Sequence, residues 1–141
     1  MTASTIVVGV DTSESSKDAL RWAARQAELT GSDLRVVMSW EIPSMAFWAP
    51  FPEGLDLEKD ARQALDTTVD EVLGTEPAVK VSKVVVAGHP APSLIAQSAD
   101  ADLLVVGNRG HGEFTGMLVG SVSEHCVAHA RCPVVVVRPK Q

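Results

Sequence analysis

Short, nearly continuous apolar runs recur along the chain and are the strongest signal of its fold. An unbroken apolar run suits a strand covered on both faces, as in a parallel sheet, better than a half-exposed strand with alternating residues. The third run begins with Lys80, Ser82 and Lys83 between valines, which indicates an edge strand. The runs therefore predict strands at residues 6–10, 34–40, 79–87, 103–106 and 134–137.

Between these runs, apolar residues recur at spacings of three and four, which is the period of an amphipathic helix. The first such segment ends at Gly31 and the second at Gly74, and glycine is typical of a helix C-terminus. The last helix should begin at Ser121, because Ser121 and Glu124 have the spacing of a capping box. The periodic positions predict helices that include Ala19 to Ala27, Ala61 to Val72, Leu94 to Ala99 and Val122 to Ala130.

Strands that alternate with helices predict a three-layer, Rossmann-like α/β fold with an open parallel sheet between two layers of helices. The 141 residues, 45% of them hydrophobic, suit a single domain spanning residues 1–141. Because crossovers between parallel strands are right-handed, we expect five strands in the order 3-2-1-4-5. Asp11, Ser39, Gly88 and Gly107 then gather around the crevice between strands 1 and 4.

Charge and composition argue against several classes of protein. The net charge of −6 and the lack of a basic cluster disfavour nucleic-acid binding. No apolar run approaches the roughly 20 residues of a membrane span and the first residues lack a signal-peptide pattern, so we expect a cytoplasmic protein with no membrane partner. Cys126 and Cys132 are too few for a disulfide framework and are expected to be buried, reduced thiols.

The segment from Gly107 to Ser121 follows a predicted strand, precedes a predicted helix and holds five of the chain's ten glycines. Glycine has no Cβ, so such a loop brings backbone amides and the positive N-terminus of a helix close to a phosphate. Gly120 should lie where the backbone meets that phosphate, with a positive φ if the turn requires one. The alternative is an ordinary surface turn in which Ser121 is simply an N-cap.

Asp11 is a second candidate for ligand contact. It leaves the first strand at the crevice, where its carboxylate can accept hydrogen bonds from ribose hydroxyls. The alternative is that Asp11 caps the first helix, although Ser13 and Ser15 are also available for that role. Gly9 and Gly88 stand where a side chain would fill the crevice.

Two further groups have open roles. Aromatic residues in the stretch 45–51, within a proline-rich loop, can cover a ligand or a partner, or fold back over the core. His125 and His129 have a spacing that can bind a metal on one helix face. Without an evident third ligand, ordinary positions on the helix surface are favoured.

The glycine segment also contains a spaced signature. Gly107, Gly110 and the pair Gly120-Ser121 follow the pattern Gly, two residues, Gly, nine residues, Gly-Ser. With the stretches 6–11, 101–107 and 132–137 around this signature, the chain closely resembles the universal stress protein family over essentially its full length. The resemblance implies an adenine nucleotide hydrolase-like fold.

Family members with this signature bind ATP, often with a divalent cation, so the resemblance implies bound ATP and Mg²⁺ held through its phosphates. It places Asp11 on the ribose and Gly88 near the sugar, whereas Thr12 stands where the family commonly has glycine. The adenine would lie near Gly9, Val10 and Ser39. The residues implied around the phosphates are Gly107, Asn108, Arg109, Gly110, His111, Gly112, Glu113, Gly120, Ser121 and Val122.

The resemblance also implies a regulatory, stress-response module that is not an enzyme and that forms a homodimer by antiparallel pairing of the last strand, Val134–Val137. No Gly-x-x-x-x-Gly-Lys-Ser/Thr motif occurs in the sequence, so any ATP hydrolysis should be slow. Arg109 and His111 can add positive charge near the phosphates or simply face solvent.

Two alternatives remain open. A flavodoxin-like redox carrier or enzyme would bind FMN phosphate with the hydroxyl-rich stretch 12–16 and stack Trp40 or Trp48 on the flavin. This alternative leaves the glycine segment unexplained. The other is a structural dimer that binds no nucleotide.

Overall fold

Parallel strands with helices between them make up the computed structural model, which describes residues 4–41, 56–109 and 120–139. The strands described are β1 Thr5–Gly9, β2 Asp33–Trp40, β3 Val81–Ala87, β4 Leu103–Gly107 and β5 Val134–Val137. The helices described are α1 Glu14–Thr30, α2 Leu57–Leu73, α3 Pro90–Gln97 and α4 Ser121–His129. All strand pairs are parallel and the order is β3-β2-β1-β4-β5, as predicted.

The helices cover the two faces of the sheet in pairs. Val8, Val36 and Val105 belong to a core that also contains Leu20 of α1 and Leu65 of α2. Alternate strand residues point the other way and form a second core with α3 and α4, which includes Val7, Val37, Leu104, Leu94 and Cys126. Because the central strands are buried on both faces, their unbroken apolar runs are explained, and the three-layer prediction is confirmed.

Local capping explains where the two long helices begin and end. The Ser13 side chain accepts a hydrogen bond from the Ser16 amide at the start of α1, and the Asp56 side chain accepts one from the Lys59 amide at the start of α2. Gly31 follows α1 with φ of 68°, the left-handed conformation that glycine adopts without strain. Both predicted ends, at Gly31 and Gly74, are confirmed.

One predicted cap and one predicted helix end need correction. The capping box at Ser121 is wrong, because the Glu124 amide donates to the Gly120 carbonyl at 2.9 Å and Gly120 is therefore the N-cap. Ser121 is the first helical residue, so the predicted start of the last helix is confirmed. The third helix ends two residues earlier than predicted, with Ser98 at its C-cap and Ala99 beyond it.

The cysteines differ in their surroundings, and both are free thiols. Cys126 is fully buried in α4, and burial raises the pKa of its thiol to about 11. Cys132 is half-buried, and burial likewise raises its pKa, although a hydrogen bond with Ser98 opposes the shift. The expectation of buried thiols is thus confirmed for Cys126 and holds only in part for Cys132.

Among the helices in the described ranges, none is long and apolar enough to cross a membrane. His125 and His129 are exposed, with ring centroids 5.5 Å apart. Within the described residues, no group of three His, Cys, Asp or Glu side chains is placed to hold a metal ion. The predicted aromatic stretch at 45–51 lies outside the described residues.

The turn between β1 and α1 contains a strained residue. Thr12 has φ of 71°, and no other non-glycine residue in the described part of the chain has a positive φ. A β-branched residue is disfavoured in this left-handed conformation, because its Cβ crowds the backbone. Glycine would suit the position, so the departure from the family pattern at Thr12 has an energetic cost.

Replacing Thr12 with Asn should relieve this strain, because Asn tolerates the left-handed region. We expect Thr12→Asn to raise the free energy of unfolding by about 0.5–1 kcal/mol, measured by urea denaturation. The matched control is Thr67→Asn at an exposed position of α2, where a change within about 0.5 kcal/mol is expected. A Thr12→Asn protein that is less stable than wild type would contradict this account.

Candidate functional site

A cleft lies at the carboxyl ends of β1, β2 and β4, where the strand order reverses. It encloses about 620 Å³ of space, counting the open solvent at its mouth. In an open parallel sheet, the helices on either side of this reversal diverge to opposite faces and leave such a crevice. Its lining residues are Gly9, Val10, Asp11, Ser16, Val37, Ser39, Pro90, Leu94, Val106, Gly107, Arg109, Val122 and Ser123.

Most of the predicted site residues that the structure describes line this cleft. They come from four separate stretches of the sequence, which the sheet topology brings together: Gly9, Val10, Asp11, Ser39, Gly107, Arg109 and Val122. Gly88, Asn108, Gly120 and Ser121 are described but are not among the lining residues. Gly110, His111, Gly112 and Glu113 lie outside the described residues.

Asp11 is oriented by the first turn of α1. Its Oδ1 accepts hydrogen bonds from the Ser13 amide at 3.0 Å and from the Ser13 hydroxyl. Its own amide donates to Ser16 Oγ at 3.2 Å. Ser13, not Asp11, is the N-cap of α1, so the carboxylate is left at the wall of the cleft. A carboxylate so placed is a strong acceptor for ligand hydroxyls.

Two of the predicted glycines are explained by backbone geometry. A Cβ at Gly9 would lie 2.6 Å from Leu94 Cδ1, so the absence of a side chain allows α3 to pack against β1. Gly88 has φ of 137°, which only glycine adopts readily, and its amide donates to the Trp40 carbonyl at 2.8 Å. Gly88 therefore shapes the turn into α3 from outside the cleft lining.

The start of the glycine segment packs against the start of α1. A Cβ at Gly107 would lie 2.7 Å from the backbone carbonyl oxygen of Ser15, closer than packed atoms approach. The Ser123 hydroxyl donates to the Gly107 carbonyl. Gly120 is buried with φ of −74°, so its turn does not require a positive φ. Gly107 is thus explained by helix packing, whether or not a phosphate lies nearby.

The chemistry of the cleft is divided between an apolar floor and polar walls. Val37 of β2, Val106 of β4 and Val10, which directly follows β1, are buried residues at its base, and Leu94 of α3 adds further apolar surface. The other lining residues include Ser16, Ser39, Ser123, Asp11 and Arg109, whose side chains carry hydroxyl, carboxylate and guanidinium groups. This arrangement suits a ligand with a flat apolar part, hydroxyl groups and an anionic part.

Six lining residues were missed by sequence reasoning. Val37 and Val106 precede predicted crevice residues by one or two positions, so the strand ends were signal enough to include them. The helical residues gave no such signal, because only packing turns them toward the sheet edge. The missed residues are Ser16, Val37, Pro90, Leu94, Val106 and Ser123.

An open parallel sheet with a cleft at the point where its strand order reverses defines a Rossmann-like α/β protein. The model of the universal stress protein family matches residues 2–138, and the chain belongs to this family. Universal stress protein Rv2623 of Mycobacterium tuberculosis (strain ATCC 25618 / H37Rv) is 39% identical over 140 residues, which cover 94% of this chain and 46% of the relative. The chain therefore spans about half the length of this relative.

Solved structures support the same fold. A crystal structure of a universal stress protein in complex with cAMP is similar to this chain, with a TM-score of 0.70, 26% identity and 98% of each chain covered. The structure of the hypothetical protein MJ0577 is also similar, with a TM-score of 0.80 and 21% identity over 100% of this chain and 99% of that one. At that identity, the second similarity concerns the fold alone.

The close approach at Gly107 can be tested by adding a single methyl group. Gly107→Ala should lower the free energy of unfolding by about 1–3 kcal/mol, because the methyl group meets the Ser15 backbone, which cannot move aside. Gly9→Ala should cost less, because its Cβ meets the end of the flexible Leu94 side chain. Urea denaturation of both variants measures the difference, and equal losses would contradict this packing argument.

Proposed function

We propose that the cleft binds an adenine nucleotide, ATP in particular, and that this binding is the protein's biochemical function. The observation that carries the proposal is that Asp11 and Arg109 line one cleft together with an apolar floor of residues at the ends of the strands. A nucleotide needs these three surfaces: an apolar one for its base, an acceptor for its ribose and a cation near its phosphates.

The adenosine part is proposed to lie at the end of the cleft built by β1 and β2. The base would pack on Val10 and Val37, beside the Gly9 backbone and the Ser39 hydroxyl. The Asp11 carboxylate would accept hydrogen bonds from the ribose hydroxyls, in the orientation that its bonds with Ser13 already hold. The structure of a relative in complex with cAMP supports an adenine ligand in this fold.

The phosphates are proposed to lie at the other end, between the end of β4 and the start of α4. Gly107, Arg109 and Val122 line the cleft there. The positive N-terminus of α4, at Ser121, favours an anion in this position. Asn108 and Gly120 would support this end through the backbone, with Gly110, His111, Gly112 and Glu113 completing it, and Gly88 would act on the sugar only through the turn it shapes.

Mg²⁺ is proposed to bind chiefly through phosphate oxygens and water. In the described ranges, no cluster of three potential side-chain ligands is available to hold the ion. Mg²⁺ commonly keeps several waters and takes only one or two carboxylates from a protein. Such an ion would neutralise phosphate charge in a chain whose own net charge is −6.

We propose a regulatory role rather than catalysis. The sequence lacks the lysine-containing P-loop motif by which many ATPases hold their phosphates. The chain would act as a single cytoplasmic domain whose nucleotide state alters its contacts with itself or with other proteins in a stress response.

A homodimer through β5 is the proposed form of that assembly. β5 is an edge strand made entirely of valine, and each of Val134 to Val137 is only half-buried. An apolar edge strand tends to pair with another strand unless something covers it. Antiparallel pairing with the same strand of a second copy would cover both edges by two-fold symmetry.

The ribose contact gives the sharpest test of nucleotide binding. Calorimetry should show that wild-type protein binds ATP and that Asp11→Asn weakens this binding about tenfold or more, because a charged acceptor is lost. Binding of 2′,3′-dideoxy-ATP, which lacks both hydroxyls, should be nearly unaffected by the same substitution. Asn keeps an oxygen that can accept from the Ser13 amide, so the turn should survive.

The matched control is Asp18→Asn, which removes the same charge from the exposed side of α1 and breaks only a surface ion pair with Arg21. This variant should bind ATP like wild type. No ATP binding by the wild-type protein would refute the proposed function. If Asp11→Asn weakened the binding of ATP and of dideoxy-ATP equally, the carboxylate would not bind the ribose hydroxyls.

The dimer is tested on β5 itself. Val135→Lys should convert a dimer, about twice the chain mass of 14.9 kDa, to a monomer in size-exclusion chromatography with light scattering, because the charge would be trapped at the pairing edge. Val85→Lys is the control, since Val85 is a half-buried valine on β3 at the opposite edge of the sheet. It should remain dimeric, and a wild-type monomer at micromolar concentration would refute the proposal.

A further inference from the structure

A buried asparagine, Asn108, connects β5, α4 and α1 at the proposed phosphate end of the cleft. Asn108, immediately after β4, is only 6% exposed. Its backbone amide donates to the Val137 carbonyl of β5 at 3.0 Å, and its backbone carbonyl accepts from the Gly120 amide at the N-cap of α4. The backbone of Asn108 thereby ties the end of β5 to the start of α4.

The side chain of Asn108 reaches a third element, α1. The Ser15 hydroxyl donates to Asn108 Oδ1 at 3.1 Å and accepts from the Arg109 amide at 3.3 Å. Ser15 lies in the first turn of α1, and its hydroxyl and its backbone carbonyl both exclude a side chain at Gly107. One serine therefore contacts Gly107, Asn108 and Arg109, the residues that open the glycine segment.

Ser15 does not line the cleft, and its hydroxyl has no bond to the groups around Asp11 in the described contacts. Those groups are held separately, by Ser13 and Ser16. The first turn of α1 thus divides its hydroxyls between the two ends of the cleft. Ser13 and Ser16 support the ribose end, whereas Ser15 supports the phosphate end.

We propose that Ser15 is a positioning residue that sets the backbone of Asn108 and Arg109 for phosphate binding and leaves adenosine binding unaffected. The inference rests on the proposed function, because it assigns the two ends of the cleft to the two parts of the nucleotide. Loss of the hydroxyl would leave Asn108 Oδ1 and the Arg109 amide without this partner. The backbone that faces the phosphates would then lose its fixed position.

The test compares ATP with adenosine in full-length Ser15→Ala protein, with Mg²⁺ present. Dissociation constants are measured by NMR from the chemical-shift changes of ¹⁵N-labelled protein. This method also measures millimolar affinities. The ATP dissociation constant should rise about 3- to 10-fold, as expected for one or two lost hydrogen bonds, while that of adenosine changes less than about twofold. A general loss of structure would weaken the binding of both ligands, so the ratio of the two dissociation constants measures the effect on phosphate positioning.

Two variants serve as controls. Ser15→Thr keeps the hydroxyl and should restore most of the ATP affinity. Ser32→Ala removes a buried hydroxyl that forms a hydrogen bond with Thr30 Oγ1 at 2.6 Å. Ser32 directly precedes β2, at the amino ends of the strands, whereas the cleft lies at their carboxyl ends. The Ser32→Ala variant should leave the binding of both ligands unaffected, although it removes the same group from a position that is more buried than Ser15.

The outcomes separate this inference from the proposed function. A selective loss of ATP affinity in Ser15→Ala, restored in Ser15→Thr, supports positioning by Ser15. An unchanged ratio, equal weakening of both ligands, or no recovery with threonine overturns it. Wild-type protein that binds ATP but not adenosine overturns the division of the cleft into two ends. Wild-type protein that binds neither overturns the proposed function itself.

Discussion

Parallel pairing of β1 with both β2 and β4 is the constraint on which the cleft depends. β1 lies at the centre of the sheet, with Val8 in register with Val36 on one side and Val105 on the other. After β1, the chain adds β2 and β3 on one side of the sheet, and after β4 it adds β5 on the other side. Their following helices must therefore pack on opposite faces, and the space between them cannot be filled by either.

Two close approaches then narrow that space to a shaped cleft. Gly9 allows Leu94 of α3 to lie against β1, and Gly107 allows the first turn of α1 to lie against the end of β4. A side chain at either position would push a helix outward. The glycines at the strand ends thus act first through packing, and the surfaces offered to a ligand follow from where they let the helices rest.

Hydroxyl groups at the start of α1 support both ends of the cleft. Ser13 caps the helix and holds the Asp11 carboxylate, while Ser15 holds Asn108 and Arg109 at the proposed phosphate end. Asn108 continues the connection to the Val137 carbonyl on β5. The proposed nucleotide site and the proposed dimer edge are therefore joined by a short path of hydrogen bonds. The strained turn at Thr12 lies next to the start of that path.

The sequence by itself determined the features that depend on neighbouring residues. Unbroken apolar runs predicted the strands, apolar periodicity predicted the helices, and the glycines at positions 31 and 74 predicted two helix ends, because these signals act within a few residues. Likewise, Ser13 was available to cap α1 and leave Asp11 for the cleft, since capping involves one turn of helix.

Only the tertiary structure decided what depends on residues far apart in the chain. Ser15 and Asn108 are 93 positions apart, so neither the reason for Gly107 nor the role of the Ser15 hydroxyl has a local signal. The Asn108–Gly120 bond accompanies an N-cap at Gly120 rather than at Ser121, and packing alone turned Leu94 and Ser123 toward the cleft. Spacing along a chain encodes which face of an element is buried, whereas the partner that buries it is chosen by the assembled fold.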